Sequence, residues 1–256
     1  MDSIVTTAYP ILLSLLAGLA TGIGGLLVLA LGKLEGRFLG FVMGFAGGVM
    51  LVVSFLELMA ESSHLIDAIW VVTFFTIGAT LMMVIDLLLP HMEFGQWEKK
   101  VSDRRLFNSG ILVALGMSLH NLPEGLVVSA GFGHEANLGI LVALMISLHN
   151  IPEGIATVTP LVAAGVNKWR AISLATLSGL TEPLGALIGI VILGAAGATP
   201  MVIGSGLAFA AGVMTYITMD ELIPVAHDFC KPMYKHYVST GVLTGVVFAQ
   251  LLTIIF

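Results

Sequence analysis

The chain is a succession of long apolar runs parted by short polar breaks, and this leaves few folds open. A helix needs about 20 mostly apolar residues to cross the hydrocarbon core of a bilayer. Eight runs meet that requirement: residues 4–32, 38–60, 68–89, 107–132, 138–164, 169–194, 201–227 and 237–256. Strand-like alternation of apolar and polar residues is absent, which excludes an outer-membrane barrel. The expected fold is all-α, a polytopic membrane protein of eight transmembrane helices with inverted repeats, with residues 1–256 forming one domain. Composition agrees: 10% of residues are charged, against roughly a quarter in soluble domains. The first run has no basic stretch before it and no cleavage site after it, so it is read as a retained helix rather than a signal peptide.

The basic residues test the count. All ten, Lys33, Arg37, Lys99, Lys100, Arg104, Arg105, Lys168, Arg170, Lys231 and Lys235, fall in the first, third, fifth and seventh connections. Eight spans put those connections on one side, which the positive-inside rule makes the cytoplasm. The expectation is a plasma (inner) membrane protein with both termini outside the cytoplasm. The outer connections carry Glu61, His64, Asp67, His134 and Glu135 instead. Cys230 is the single cysteine and can form no internal disulfide. With a net charge of −6, nucleic acid is not an expected partner.

Two internal similarities organise the chain. Ser118-Leu-His-Asn-Leu-Pro-Glu-Gly125 recurs as Ser147-Leu-His-Asn-Ile-Pro-Glu-Gly154, and Gly48-Val-Met-Leu-Val-Val-Ser-Phe-Leu-Glu57 resembles Gly212-Val-Met-Thr-Tyr-Ile-Thr-Met-Asp-Glu221. Spans four and five run oppositely, as do two and seven, so both pairs read as inverted repeats of the kind that build alternating-access transporters. For the second pair, the shared glycine grammar of close helix packing is an equally good account.

The polar motifs sit where polarity is expensive. His and Glu four residues apart share one face of a helix, with Asn one residue round. Two such faces turned together gather His120, Asn121, Glu124, His149, Asn150 and Glu153 near mid-membrane. Ionisable groups at that depth must pair, face water or bind an ion. Pro123 and Pro152 free the carbonyls of Leu119 and Leu148, and interrupted helices often line ion sites. Glu182, beside Pro183 in span six, is the candidate to close the cage. Two shared carboxylates flanked by imidazoles and amides could bridge two cations, as in di-metal helix bundles. A set of N and O donors without cysteine suits Zn, Fe(II), Co or Mn better than Cu(I).

Other polar positions suggest a route. Met50 lies at a depth where its thioether could meet the ion, although methionine also fills gaps. Glu57 and His64 are placed at an outer entrance. Asp86, and Asp220, Glu221, His227 and Asp228, lie towards the cytoplasmic exit. His91 is isolated in its loop.

The twin His-Asn-x-Pro-Glu-Gly motifs, Glu182 and Asp-Glu-Leu-Ile-Pro in span seven resemble the ZIP (Zrt/Irt-like protein) metal transporters over essentially the whole chain. The resemblance implies transport of zinc, and in many members iron, manganese, cobalt or cadmium, into the cytoplasm, by eight helices in a 3+2+3 order. It implies one site of His120, Glu124, His149 and Glu153, with Met50 as an added candidate. A second site would use Asn121, Glu124, Asn150, Glu153 and Glu182, with Asp86 and Glu221 on the cytoplasmic route. The loop after span three is His-rich in many relatives and here holds only His91 and Met92. No nucleotide motif is present, which disfavours ATP-driven transport. The competing reading is an intramembrane metal-dependent hydrolase, but no general base can be named for it. The partners expected are divalent cations and the lipid bilayer, with a homodimer left open.

Overall fold

The computed structural model describes residues 3–31, 35–88, 104–163, 165–197, 199–230 and 232–255. The loop bearing His91, Met92, Lys99 and Lys100 lies outside the described residues, as do Lys33, Lys231 and the side chains of His120 and Glu221. The described chain is helical with no strand: α1 (Ser3–Leu31), α2 (Gly36–Leu65), α3 (Ala68–Leu88), α4 (Arg104–His134), α5 (Ala136–Ala163), α6 (Lys168–Ala196), α7 (residues 200–229) and α8 (His236–Ile255). Seven stretches among the described residues are long and apolar enough to cross a bilayer. The helix outside that set is α4, whose 31 residues include Arg104, Arg105 and the first polar motif. The chain is thus a multi-pass membrane protein, with a length-and-composition count of seven among the described residues.

Local chemistry sets the helix ends. Asn167 caps α6 by accepting from the backbone N–H groups of Trp169 (3.0 Å) and Arg170 (3.4 Å). Thr199 caps α7 by accepting from Val202 N, with Pro200 at the first helical position; both devices satisfy or remove donors that a helix start leaves orphaned. Gly165 and Gly197 take the positive φ values, 91° and 79°, that the turns after α5 and α6 require.

Packing divides the helices into two groups. In one, α1 and α4 each pack on both α5 and α6; in the other, α2 packs on α8, and α3 on α7. The groups meet where α2 touches α5 and α7 touches α4. This pattern is unchanged when α1 is exchanged with α6, α2 with α7, α3 with α8 and α4 with α5. The exchange holds for individual residues. Gly24 of α1 abuts the carbonyl of Ile151 on α5, as Gly185 of α6 abuts that of Leu122 on α4. Gly78 of α3 abuts Phe209, as Gly245 of α8 abuts Phe45. Both α2 and α7 widen into a π-type turn at matching places, Val53–Leu58 and Thr218–Leu222. The likeness of spans two and seven is therefore structural repetition and not merely shared glycine spacing.

Apolar windows of α2 and α5 are 67% buried, against 17% in α3 and 22% in α8. The outer helices α3 and α8 present Ile69, Val72, Leu87, Leu243 and Ile254 outwards. That outer apolar surface matches hydrocarbon, which solvates it without cost.

Candidate metal centre

The polar residues of α4, α5 and α6 converge in the interior. Asn121, Glu124, His149, Asn150, Glu153 and Glu182 are all fully buried. One donor atom from each of Glu124, His149 and Glu153 lies within 4.8 Å of the others. His149 Nε2 is 2.7 Å from Glu124 Oε1 on the neighbouring helix and 4.0 Å from Glu153 Oε1 one turn along its own. An imidazole between two carboxyl groups is a set that can surround a divalent cation with nitrogen and oxygen.

The asparagines tie this cluster to the helices around it. Asn150 Nδ2 donates to Glu182 Oε1 and, at 2.9 Å, to the carbonyl of Ala17 on α1. Asn121 Nδ2 donates to the carbonyl of Ser178 on α6 at 3.1 Å. Their carboxamide oxygens have no hydrogen-bond partner among the described residues. Each asparagine is therefore oriented through its amide nitrogen, with its carboxamide oxygen left to accept.

The helix interruption falls elsewhere than Pro123 and Pro152 suggest. Both α4 and α5 continue through their prolines. The break is at Leu180 in α6, which separates Lys168–Gly179 from Thr181–Ala196. Pro183 cannot donate to the carbonyl of Gly179, and beside that gap the Thr181 hydroxyl has its one proton within reach of Ser178 O (2.7 Å) and, across to α4, Ser118 O (2.8 Å). Glu182 thereby falls in the first turn of a new helix segment, where the helix dipole favours negative charge. Proline in the twin motifs leaves the helix intact because flanking turns and neighbouring helices hold it. In α6 the chain turns at Leu180 instead.

The outlying expectations scatter. Met50 is buried in the core, where α2 packs on α5, and its sulfur lies 3.6 Å from Thr218 Oγ1 of α7. Glu57 lies within the π-type turn of α2, nearly buried, and accepts from Thr253 Oγ1 of α8 at 2.6 Å. His64 is exposed and lines an open groove of about 560 Å³ with Asp67, Trp70 and Thr199. Asp86 accepts from the Tyr216 hydroxyl at 3.2 Å, linking α3 to α7. His120 and Glu221 have their backbones in α4 and α7, and their side chains are not among those described.

Sequence reasoning missed three features. It gave α1 no part in the centre, although Ala17 anchors Asn150. It did not find the π-type turns; the acids Glu57 and Glu221 at matching repeat positions are the nearest signal. It did not pair Glu61 with His134, whose carboxylate and imidazole meet at 2.7 Å and join α2 to α4.

Comparison with known proteins follows the same residues. A family model described as "ZIP Zinc transporter" matches residues 95–253. The protein named zinc transporter ZupT from Chlorobium phaeovibrioides is 42% identical, the match covering 93% of this chain and 94% of that protein. The one so named from Nitratidesulfovibrio vulgaris is 37% identical over 91% and 92%. That from Corynebacterium aurimucosum is 36% identical over 95% of each.

Proposed function

The chain belongs to the ZIP zinc transporter family, and from that premise we propose that it moves zinc inwards across the plasma membrane through the centre on α4, α5 and α6. Its relatives are transporters, so the hydrolase reading is set aside. The observation that carries the proposal is the fully buried cluster of Glu124, His149 and Glu153 with its donors within 4.8 Å. In a bilayer interior such a group has a ready role as an ion site.

A hydrated cation entering the interior loses water ligands, and the cluster replaces them. Glu124 and Glu153 supply charge, His149 supplies a nitrogen, and the free oxygens of Asn121 and Asn150 supply neutral ligands. Glu182, held by Asn150, borders the same centre, and His120 is its proposed second imidazole. The donor set would also take Fe(II), Mn, Co and Cd, and its carboxylates are numerous enough to bridge two ions. Because these ligands bind metal in deprotonated form, binding releases protons. Glu57 and His64 are proposed for the outer approach, and Asp86 and Glu221 for the inner one. The basic connections favour termini outside the cytoplasm, with α4 counted as a span.

The test is zinc uptake by proteoliposomes. Glu124→Ala and Glu153→Ala are each expected to abolish uptake while the protein stays folded and inserted. Wild-type rates in both variants would remove the site assignment.

A further inference from the structure

The pseudo-twofold exchange that relates the helices also relates the two sides of the centre. Asn150 is anchored on Ala17 of α1, and Asn121 on Ser178 of α6. Gly154 of α5 lies against the carbonyl of Thr21, and Gly125 of α4 against that of Glu182. Gly18 and Gly179 lie against each other's carbonyls. In this register Ala17 corresponds to Ser178, Gly18 to Gly179, and Thr21 to Glu182. The residue of α1 at the place of the α6 carboxylate is a threonine.

The hydroxyl of Thr21 departs from the usual helical pattern, as that of Thr215 also does. Mid-helix threonines normally donate to the carbonyl four residues back, as Thr73, Thr76, Thr157, Thr176 and Thr218 do here. For Thr21 that carbonyl belongs to Ala17 and already accepts from Asn150. Thr21 is fully buried, and its hydroxyl has no hydrogen-bond partner among the described residues. It turns towards α6, where a methyl group built on Gly179 would come within 2.9 Å of Thr21 Oγ1. Gly179 adjoins Ser178, the anchor of Asn121, whose own Oδ1 lacks a partner as well. Thr21 and Asn121 thus both lie against the Ser178-Gly179 stretch of α6, each with a buried oxygen that has no partner among the described residues, and buried polar atoms of this kind call for a polar guest.

We propose that Thr21 is a further residue of the metal centre, supplying a neutral oxygen from α1 opposite the carboxylate of Glu182 on α6. The centre then has one charged and one neutral flank, which holds an ion without the grip that a second carboxylate would add. This rests on the reading of the centre as the transport site. The experiment compares the full chain with Thr21→Val, which keeps the shape and removes the hydroxyl, and Thr21→Ser, which restores it. Equilibrium zinc binding in detergent and zinc uptake in proteoliposomes are measured for each, with Glu153→Ala alongside. Thr21→Val is expected to raise the zinc Kd and the KM for uptake about tenfold, the scale of losses around metal sites, and Thr21→Ser to recover most of both. Thr21→Glu is expected to bind zinc more tightly than wild type and turn over more slowly. Wild-type Kd and KM in Thr21→Val, with Glu153→Ala inactive, would overturn the role of Thr21 alone. Thr21→Ser as impaired as Thr21→Val would overturn it too. Zinc binding unchanged in Glu153→Ala would remove the centre itself.

Discussion

Asn150 and Asn121 occupy equivalent positions in the twin motifs, yet their replacement should have unequal effects. Asn150 Nδ2 donates to a buried carboxylate, Glu182 Oε1, and to the Ala17 carbonyl at 2.9 Å. Asn121 Nδ2 donates to the Ser178 carbonyl at 3.1 Å. A hydrogen bond to a charged group contributes about 2 kcal/mol and one between neutral groups about 1 kcal/mol. Asn150→Ala therefore removes about 3 kcal/mol of positioning and Asn121→Ala about 1 kcal/mol. At about 1.4 kcal/mol per factor of ten, zinc affinity should fall about 100-fold in the first and about fivefold in the second. Each variant also loses one carboxamide oxygen, so the ratio between them isolates the tie to Glu182. The assay is a competition titration of the purified protein against a chromophoric chelator, with thermal unfolding of each metal-free variant as a control for folding. Equal losses in the two variants, or a larger loss in Asn121→Ala, would refute the assignment of Asn150 as the residue that holds Glu182.

Other perturbations reach the packing and the periphery. Gly125→Ala drives a methyl group into the carbonyl of Glu182, so α4 and α6 must part. The expected cost is about 1–3 kcal/mol, seen as a lower unfolding midpoint in detergent, and an unchanged midpoint would count against this close contact. Thr253→Val leaves Glu57 without its α8 donor and should destabilise the protein by about 1–3 kcal/mol. Zinc affinity should hold, because Glu57 stands apart from the buried cluster, and an affinity loss would move Glu57 into the centre. Cys230 is buried beyond the apolar stretch of α7, and its S–H donates to Gly36 O at 3.4 Å. Burial pushes its thiol above the ordinary range, so less thiolate is present at any given pH. Maleimide labelling of the folded protein should be about tenfold slower than in denaturant and should rise with pH; equal rates would show an exposed thiol.

The amino-acid sequence alone was enough to establish the solvent and the helical class and to nominate residues for the site. Runs of apolar residues too long for a soluble core require a bilayer, and a bilayer leaves the backbone only helices or closed barrels. His149, Glu153 and Glu124 were legible because polar residues at helical spacing inside apolar runs have no bland explanation in lipid. The chain could not reveal which partner each polar group chooses, because partners such as Glu182 and Asn150, Ala17 and Asn150, or Thr253 and Glu57 are distant in sequence and meet only when helices pack. Nor could it say that α6, rather than the proline-bearing motif helices, is the one interrupted. Proline removes the same donor in all three helices, and only the surrounding contacts decide whether a helix runs on through the gap or turns. Tertiary structure likewise turned two suggestive similarities into a single exchange of helices, and so matched Thr21 with Glu182. That correspondence rests on which backbones lie against which glycines, a relation between helices that no single run of residues contains.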